Sequence, residues 1–186
     1  MRIIRGKHRG RHISVPTNFQ ARPTTDIAKE ALFNILDNTI DFSDMRILDL
    51  FSGTGSISYE FLSRGCKAAE AVENNKKYAD FIRKTGEELF PGQMKVYHAD
   101  AFEFIKKRQL SYHIIFADPP YELPEIDKIP DEIFSNPTLL PDCDVIIEHS
   151  GTTDFSKHPK FVKLKKYGKV HFSFFLNQSS VEKTGM

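Results

Sequence analysis

From Arg46 to Glu148 the chain alternates short apolar runs with longer stretches whose apolar positions recur every three or four residues, the pattern of strands that each lead into a helix. Ile47, Leu48, Leu50 and Phe51 supply a central strand. Gly53 and Gly55 then turn the backbone into a helix from about Ser56 to Arg64, which carries Ile57, Phe61 and Leu62 and stops at Gly65. Ala68 to Glu73 reads as a second strand, followed by a helix from Asn75 to Leu89 with Tyr78, Ile82 and Leu89 on its core face, closed by Pro91 and Gly92. Met94 to His98 makes a third strand before a short helix from Ala101 to Lys107, and Tyr112 to Ala117 makes a fourth. A helix from about Glu125 to Phe134, a fifth strand from Asp144 to Glu148, and an antiparallel pair, Phe161 to Lys165 with Val170 to Leu176, complete the pattern.

Upstream, Met1 to Val15 alternates apolar pairs with basic and glycine positions, which predicts a small hairpin around Gly6 to Gly10, ended by Pro16. Periodicity resumes at Thr25, an N-cap for a helix reaching about Ile40 on Ile27, Ala28, Ala31, Leu32, Ile35 and Leu36. Repeated strand-then-helix units predict an α/β fold, an open and mostly parallel sheet covered on both faces, with an antiparallel carboxyl-terminal strand. Sheets of this kind hold ligands at the carboxyl ends of their strands.

A chain of 186 residues suffices for one core, so a single domain over 1–186 is expected, with 1–25 as a basic arm and 177–186 as a frayed tail. The formal net charge of +1 is uninformative about partners, but its distribution is not. Arg2, Arg5, Lys7, Arg9, Arg11, Arg22 and Lys29 face a single acid, Asp26, in the first 29 residues, the composition of a polyanion-binding surface or of a solvated terminus. Cys66 and Cys143 lie far apart and read as reduced, structural thiols. The histidines are scattered without ligand-like spacing, so no metal is expected. No run approaches the roughly 20 apolar residues of a membrane span and the amino terminus has no apolar leader, which predicts a cytoplasmic protein.

The candidate chemistry gathers at the predicted strand ends, where Asp49, Glu73, Asp100 and Asp118 all fall. Taken alone, each is a helix cap or a solvated loop residue; across consecutive strands they imply one cleft. A dinucleotide fits poorly, because the fingerprint spacing puts Ser58 where the last glycine belongs, and Asp49 would repel a pyrophosphate. S-adenosylmethionine fits better: it has no phosphate and carries an ammonium and a sulfonium that Asp49 can balance. Its ribose hydroxyls suit Glu73 and its adenine amine suits Asp100. In Asp118-Pro119-Pro120-Tyr121 the prolines stiffen a turn that holds the Asp118 carboxylate and carbonyl as acceptors. Two acceptors gripping a conjugated amine can turn its lone pair toward a methyl group, and Tyr121 can stack on the base that presents it.

With those residues in view, the chain resembles the bacterial methyltransferases of guanine N2 in 16S ribosomal RNA, the small-subunit RNA guanine-N2 methyltransferase D family. The resemblance rests on GKHRGRHI at Gly6 to Ile13, RPTTD at Arg22 to Asp26, EALFNIL at Glu30 to Leu36, LDLFSGTG at Leu48 to Gly55, SRG at Ser63 to Gly65, DPPY at Asp118 to Tyr121 and YGKVHFSFF at Tyr167 to Phe175. It implies a Rossmann-like S-adenosylmethionine-dependent fold and transfer of a methyl group to N2 of one guanine. The implied substrate is 16S RNA in a partly assembled small ribosomal subunit, with ribosomal proteins as further partners. The implied cofactor positions are Asp49, Gly53, Gly55, Glu73 and Asp100, to which the flanking Phe51 and Ala101 are added. Two departures, Lys169 where an acid is expected and a short segment before the final hairpin, fall outside that pocket. Rival readings are an amino-methyltransferase of adenine N6 or of a protein amide, a non-catalytic RNA-binding assembly factor and, more remotely, a dinucleotide oxidoreductase.

Overall fold

The computed structural model describes residues 1–17, 19 and 26–177. Arg22, the Thr25 cap and the tail from residue 178 onward therefore lie outside the described residues. The elements run α1 (Asp26–Asp37), β1 (Arg46–Leu50), α2 (Ser56–Ser63), β2 (Ala68–Glu73), α3 (Lys76–Leu89), β3 (Met94–His98), α4 (Ala101–Lys107), β4 (Ile114–Ala117), α5 (Ile129–Phe134), β5 (Asp144–His149), β6 (Phe161–Tyr167) and β7 (Val170–Leu176). One seven-stranded sheet contains every strand, in the order β3-β2-β1-β4-β5-β7-β6. The first five strands are mutually parallel. β7 enters antiparallel beside β5 and pairs with β6 at the edge.

Two-residue alternation divides the strands between two cores. Ile47, Ile114, Phe116 and Ile146 pack on the side of α1, α2 and α3, against Leu32, Phe33, Phe61 and Ile82. Leu48, Leu50, Ile115, Val145 and Ile147 face the other way, against Phe104, Ile105 and Ile133 of α4 and α5. Central parallel strands buried on both faces must be nearly continuous in apolar residues, which is how β1 and β4 read. Asp49 is the exception in β1.

The boundaries differ from the periodic pattern where local chemistry intervenes. α1 ends at Asp37 instead of near Ile40, because the Asn38 amide donates to the Asn34 carbonyl and the Thr39 hydroxyl to that of Ile35, side-chain bonds that favour a turn. β4 begins at Ile114 and not at Tyr112. The helix expected from Glu125 is a 3-10 turn, Ile126–Lys128, leading into α5. Phe51 is not a strand residue: β1 stops at Leu50 and Phe51 takes a left-handed conformation with φ 59°, uncommon for a bulky side chain.

The amino-terminal segment forms a hairpin held by a bridge between Arg2 and His12 and docks on α2. The buried Glu60 carboxylate accepts the backbone N–H of Ile4 at 2.9 Å and of Arg5 at 3.0 Å, while pairing with Arg64 at 2.6 Å and Lys29 at 3.7 Å. Lys29, 1% exposed, also donates to the Arg2 carbonyl and the Ser56 hydroxyl, tying hairpin, α1 and α2 together.

Candidate active site

The strand order reverses between β1 and β4, since β2 and β3 follow on one side and β5 on the other; this is the place where α/β sheets open a ligand crevice. The structure has a cleft of about 940 Å³ there. The Asp118 N–H donates to the Leu50 carbonyl at 3.3 Å, holding the end of β4 against the end of β1. Phe51, Gly53, Glu73, Asp100, Ala101, Asp118, Pro119, Pro120 and Tyr121 all line it. Of the expected cofactor residues, Asp49 and Gly55 do not.

The glycine turn is organised around carboxylates. Gly53 N–H donates to Glu73 Oε2 at 2.8 Å, and Asn75 N–H to Glu73 Oε1 at 2.8 Å. Gly55 N–H donates to the Ser52 carbonyl at 2.7 Å, and its φ of 79° lets it precede α2 directly. A Cβ at Gly55 would stand 2.8 Å from the Tyr59 ring, so the position admits no side chain without rearrangement. A phosphate-binding turn aims its free N–H groups at the anion; here those of Gly53 and Gly55 are spent inside the protein. Burial raises the Glu73 carboxyl above its ordinary range, opposed by the Asn75 and Gly53 N–H bonds.

Asp49 lies behind this wall, 1% exposed, with Oδ2 accepting the Ser58 hydroxyl at 2.6 Å and the Ser58 N–H at 3.2 Å. Burial pushes its carboxyl up to about 7, against the lowering effect of those bonds. Asp100 combines two roles: it lines the cleft and caps α4, accepting Glu103 N–H at 3.0 Å. Apolar walls are supplied by Phe51, Val72, Ala101 and Phe102.

Across the cleft, the Pro120 carbonyl accepts Leu123 N–H at 2.9 Å and closes the turn after Asp118. The Tyr121 hydroxyl donates to Glu148 Oε1 at 3.2 Å. Glu148, 3% exposed at the end of β5, also lines the cleft and is not among the residues that the sequence pattern singles out. Its signal is the same as that of the four strand-end acids above, a carboxylate at a strand end.

Arg2, Arg5, Lys7, Arg9 and Arg11 do not line the cleft, and all five are exposed. Arg5 pairs at 2.7 Å with the half-buried Asp37, which Arg64 also holds, and Arg11 pairs at 2.9 Å with Glu88, a solvent-exposed pair that constrains little. Cys66 and Cys143 are fully buried, and burial pushes both thiols up to about 12, which leaves them unreactive. Among the described residues no group of three or more His, Cys, Asp or Glu side chains is placed to hold a metal ion, and no helix is long and apolar enough to cross a membrane.

A mostly parallel sheet of seven strands with an antiparallel β7, opening at its switch point into an acid-lined cleft, defines the class of Rossmann-like methyltransferases. Residues 1–176 match the family model described as conserved hypothetical protein 95. The ribosomal RNA small subunit methyltransferase D of Buchnera aphidicola subsp. Baizongia pistaciae is 30% identical over 181 residues, covering 95% of this chain and 92% of its own. The chain belongs to the ribosomal RNA small subunit methyltransferase D family. Among solved structures, a putative methyltransferase from Escherichia coli is similar with a TM-score of 0.83 at 27% identity, covering 97% of this chain and 99% of that one. An RNA methyltransferase from Salinibacter ruber, solved in complex with S-adenosyl-L-homocysteine, shares the fold at a TM-score of 0.66 and 14% identity, over 87% and 97% of the two chains.

Proposed function

We propose that this protein transfers a methyl group from S-adenosylmethionine to the exocyclic N2 amine of a guanine in 16S ribosomal RNA. The observation that carries the reading is the meeting, in one cleft, of a glycine turn whose N–H groups are taken by the Glu73 carboxylate and the Ser52 carbonyl, and the Asp118–Tyr121 turn. Family membership supports ribosomal RNA as the substrate.

The residues present suit a cationic, phosphate-free nucleoside. Glu73, held rigid by two backbone donors, can accept from vicinal ribose hydroxyls, and Asp100 from an adenine amine between the apolar walls. Asp49 lies behind the wall and acts on a bound cation through its field and not by contact, in the ionised form that such a cation would itself favour over the burial that raises its carboxyl. When bound by these residues, S-adenosylmethionine would supply an electrophilic sulfonium methyl to the amine, with sulfur keeping the electron pair of the broken bond.

Asp118 accepts one N2 hydrogen and its carbonyl, joined to the donorless nitrogen of Pro119, accepts the other. That grip turns the amine lone pair out of conjugation, stabilises the positive charge developing on nitrogen and leaves Asp118 placed to receive the released proton. Tyr121 walls the base. The hairpin cations supply phosphate contacts away from the chemistry, and a partly assembled small subunit in the cytoplasm, with ribosomal proteins beside the RNA, is the substrate this division of labour suits.

Replacing Asp118 by Ala tests the assignment. Methyl incorporation into small subunits falls by about 10²–10³-fold or more, while S-adenosylmethionine affinity, measured by calorimetry, stays within a few-fold. Wild-type turnover in Asp118→Ala contradicts the mechanism.

A further inference from the structure

β4 and β5 run parallel with Ala117 opposite Ile147. The residues that follow this pair, Asp118 just past the end of β4 and Glu148 within β5, thus leave neighbouring strands that lie about 4.8 Å apart. Both line the cleft, and Tyr121, from the same turn as Asp118, donates its hydroxyl to Glu148. Both carboxylates can accept hydrogen bonds from donors that enter the cleft between them. A carboxylate has capacity for about four such bonds, so the bond from Tyr121 is compatible with a second one from a ligand.

The Watson–Crick edge of guanine presents two adjacent donors, the N1–H and the N2 amine. The same edge of adenine presents a lone pair at N1 beside its amine. A wall of two acceptors matches the first and opposes the second.

Building on the guanine-N2 reading above, we propose that Glu148 is the specificity-determining residue that accepts the N1–H of the target guanine while Asp118 holds its N2 amine. Tyr121 positions the Glu148 carboxylate through its hydroxyl. Adenine is rejected because its N1 lone pair meets a buried carboxylate, and a site built to hydrogen-bond a substrate N–H discriminates strongly against a base lacking it.

The test uses 2-aminopurine, which keeps the 2-amine but carries a lone pair at N1. The target nucleotide is first mapped in small subunits methylated by the wild-type protein; absence of N2-methylguanosine at that stage overturns the guanine-N2 reading and this inference with it. Small subunits are then reconstituted from 16S RNA bearing guanine or 2-aminopurine at that one position, and initial methylation rates are compared. The wild type is expected to favour guanine by about 10²-fold or more. Glu148→Gln, whose amide can donate to N1, is expected to narrow or invert that ratio by at least about tenfold, and Glu148→Asp, which keeps an acceptor, to retain the guanine preference. A wild type that methylates both bases equally fast overturns the inference without reference to any variant. Equal loss on both bases in Glu148→Gln, partial or total, with the unfolding midpoint and cofactor affinity of the wild type, overturns it as well, because it leaves Glu148 only a support for Tyr121.

Discussion

Asp49 occupies the end of β1 with its carboxylate turned from solvent onto Ser58, and its burial has a consequence for stability. Its carboxyl is raised from an ordinary value of 3.8 to about 7 in the folded protein. A raised value means that the folded chain keeps a proton the unfolded chain has lost. The contribution of this group is thus fully present below about pH 4 and is lost as pH rises toward 7, with a slope of at most about 1.4 kcal/mol per pH unit. Asp49→Asn, which keeps an acceptor for the Ser58 hydroxyl, is expected to flatten the fall in unfolding free energy across that window, measured by denaturant titration at several pH values; an unchanged slope contradicts the assignment. At this scale the strand-end rule found Glu73, Asp100 and Asp118 at the cleft, since all three are local to a strand boundary. It could not place Asp49 behind the wall, because what covers its carboxylate is Ser58 of α2, nine residues further on, a contact that no strand pattern reports. It also stopped one strand short of Glu148.

The amino-terminal hairpin is the element whose role changes most between sequence and structure. Its charge is legible in the first dozen residues, but its docking depends on bonds to residues more than 50 positions away, chiefly the buried Glu60 of α2, and no local pattern reports those. Gly6 marks the closest approach: at φ 84°, a Cβ there would lie 1.8 Å from the Ser63 carbonyl oxygen. Gly6→Ala is expected to lower the unfolding free energy by about 1–3 kcal/mol, through backbone strain and displacement of the hairpin; an unchanged midpoint in urea would place the hairpin loosely on the body. The exposed cations make a separate prediction. Reversing Arg9 and Arg11 to Glu weakens binding to small subunits and reduces its salt dependence, by roughly one unit of log–log slope for each phosphate that is no longer neutralised, with S-adenosylmethionine affinity unchanged by calorimetry. Equal subunit affinity in the double variant at physiological salt removes the hairpin from the RNA interface.

Over the whole molecule, β2, β3, α4 and β7 appear at the boundaries expected from the sequence, because strand and helix periods are local and their turns carry Gly, Pro or Asn. The order of strands in the sheet is not local. The crossover that places β4 beside β1 brings the Asp118 turn opposite the glycine turn, and that juxtaposition turns two separate motifs into one cleft. The central claim is that this cleft delivers a methyl group to guanine N2, and the identity of the product tests it most directly. Small subunits lacking the modification are incubated with the protein and methyl-labelled S-adenosylmethionine, and their RNA is digested to nucleosides and separated. Label in N2-methylguanosine is the predicted result; label in N6-methyladenosine, or in ribosomal protein alone, would contradict it.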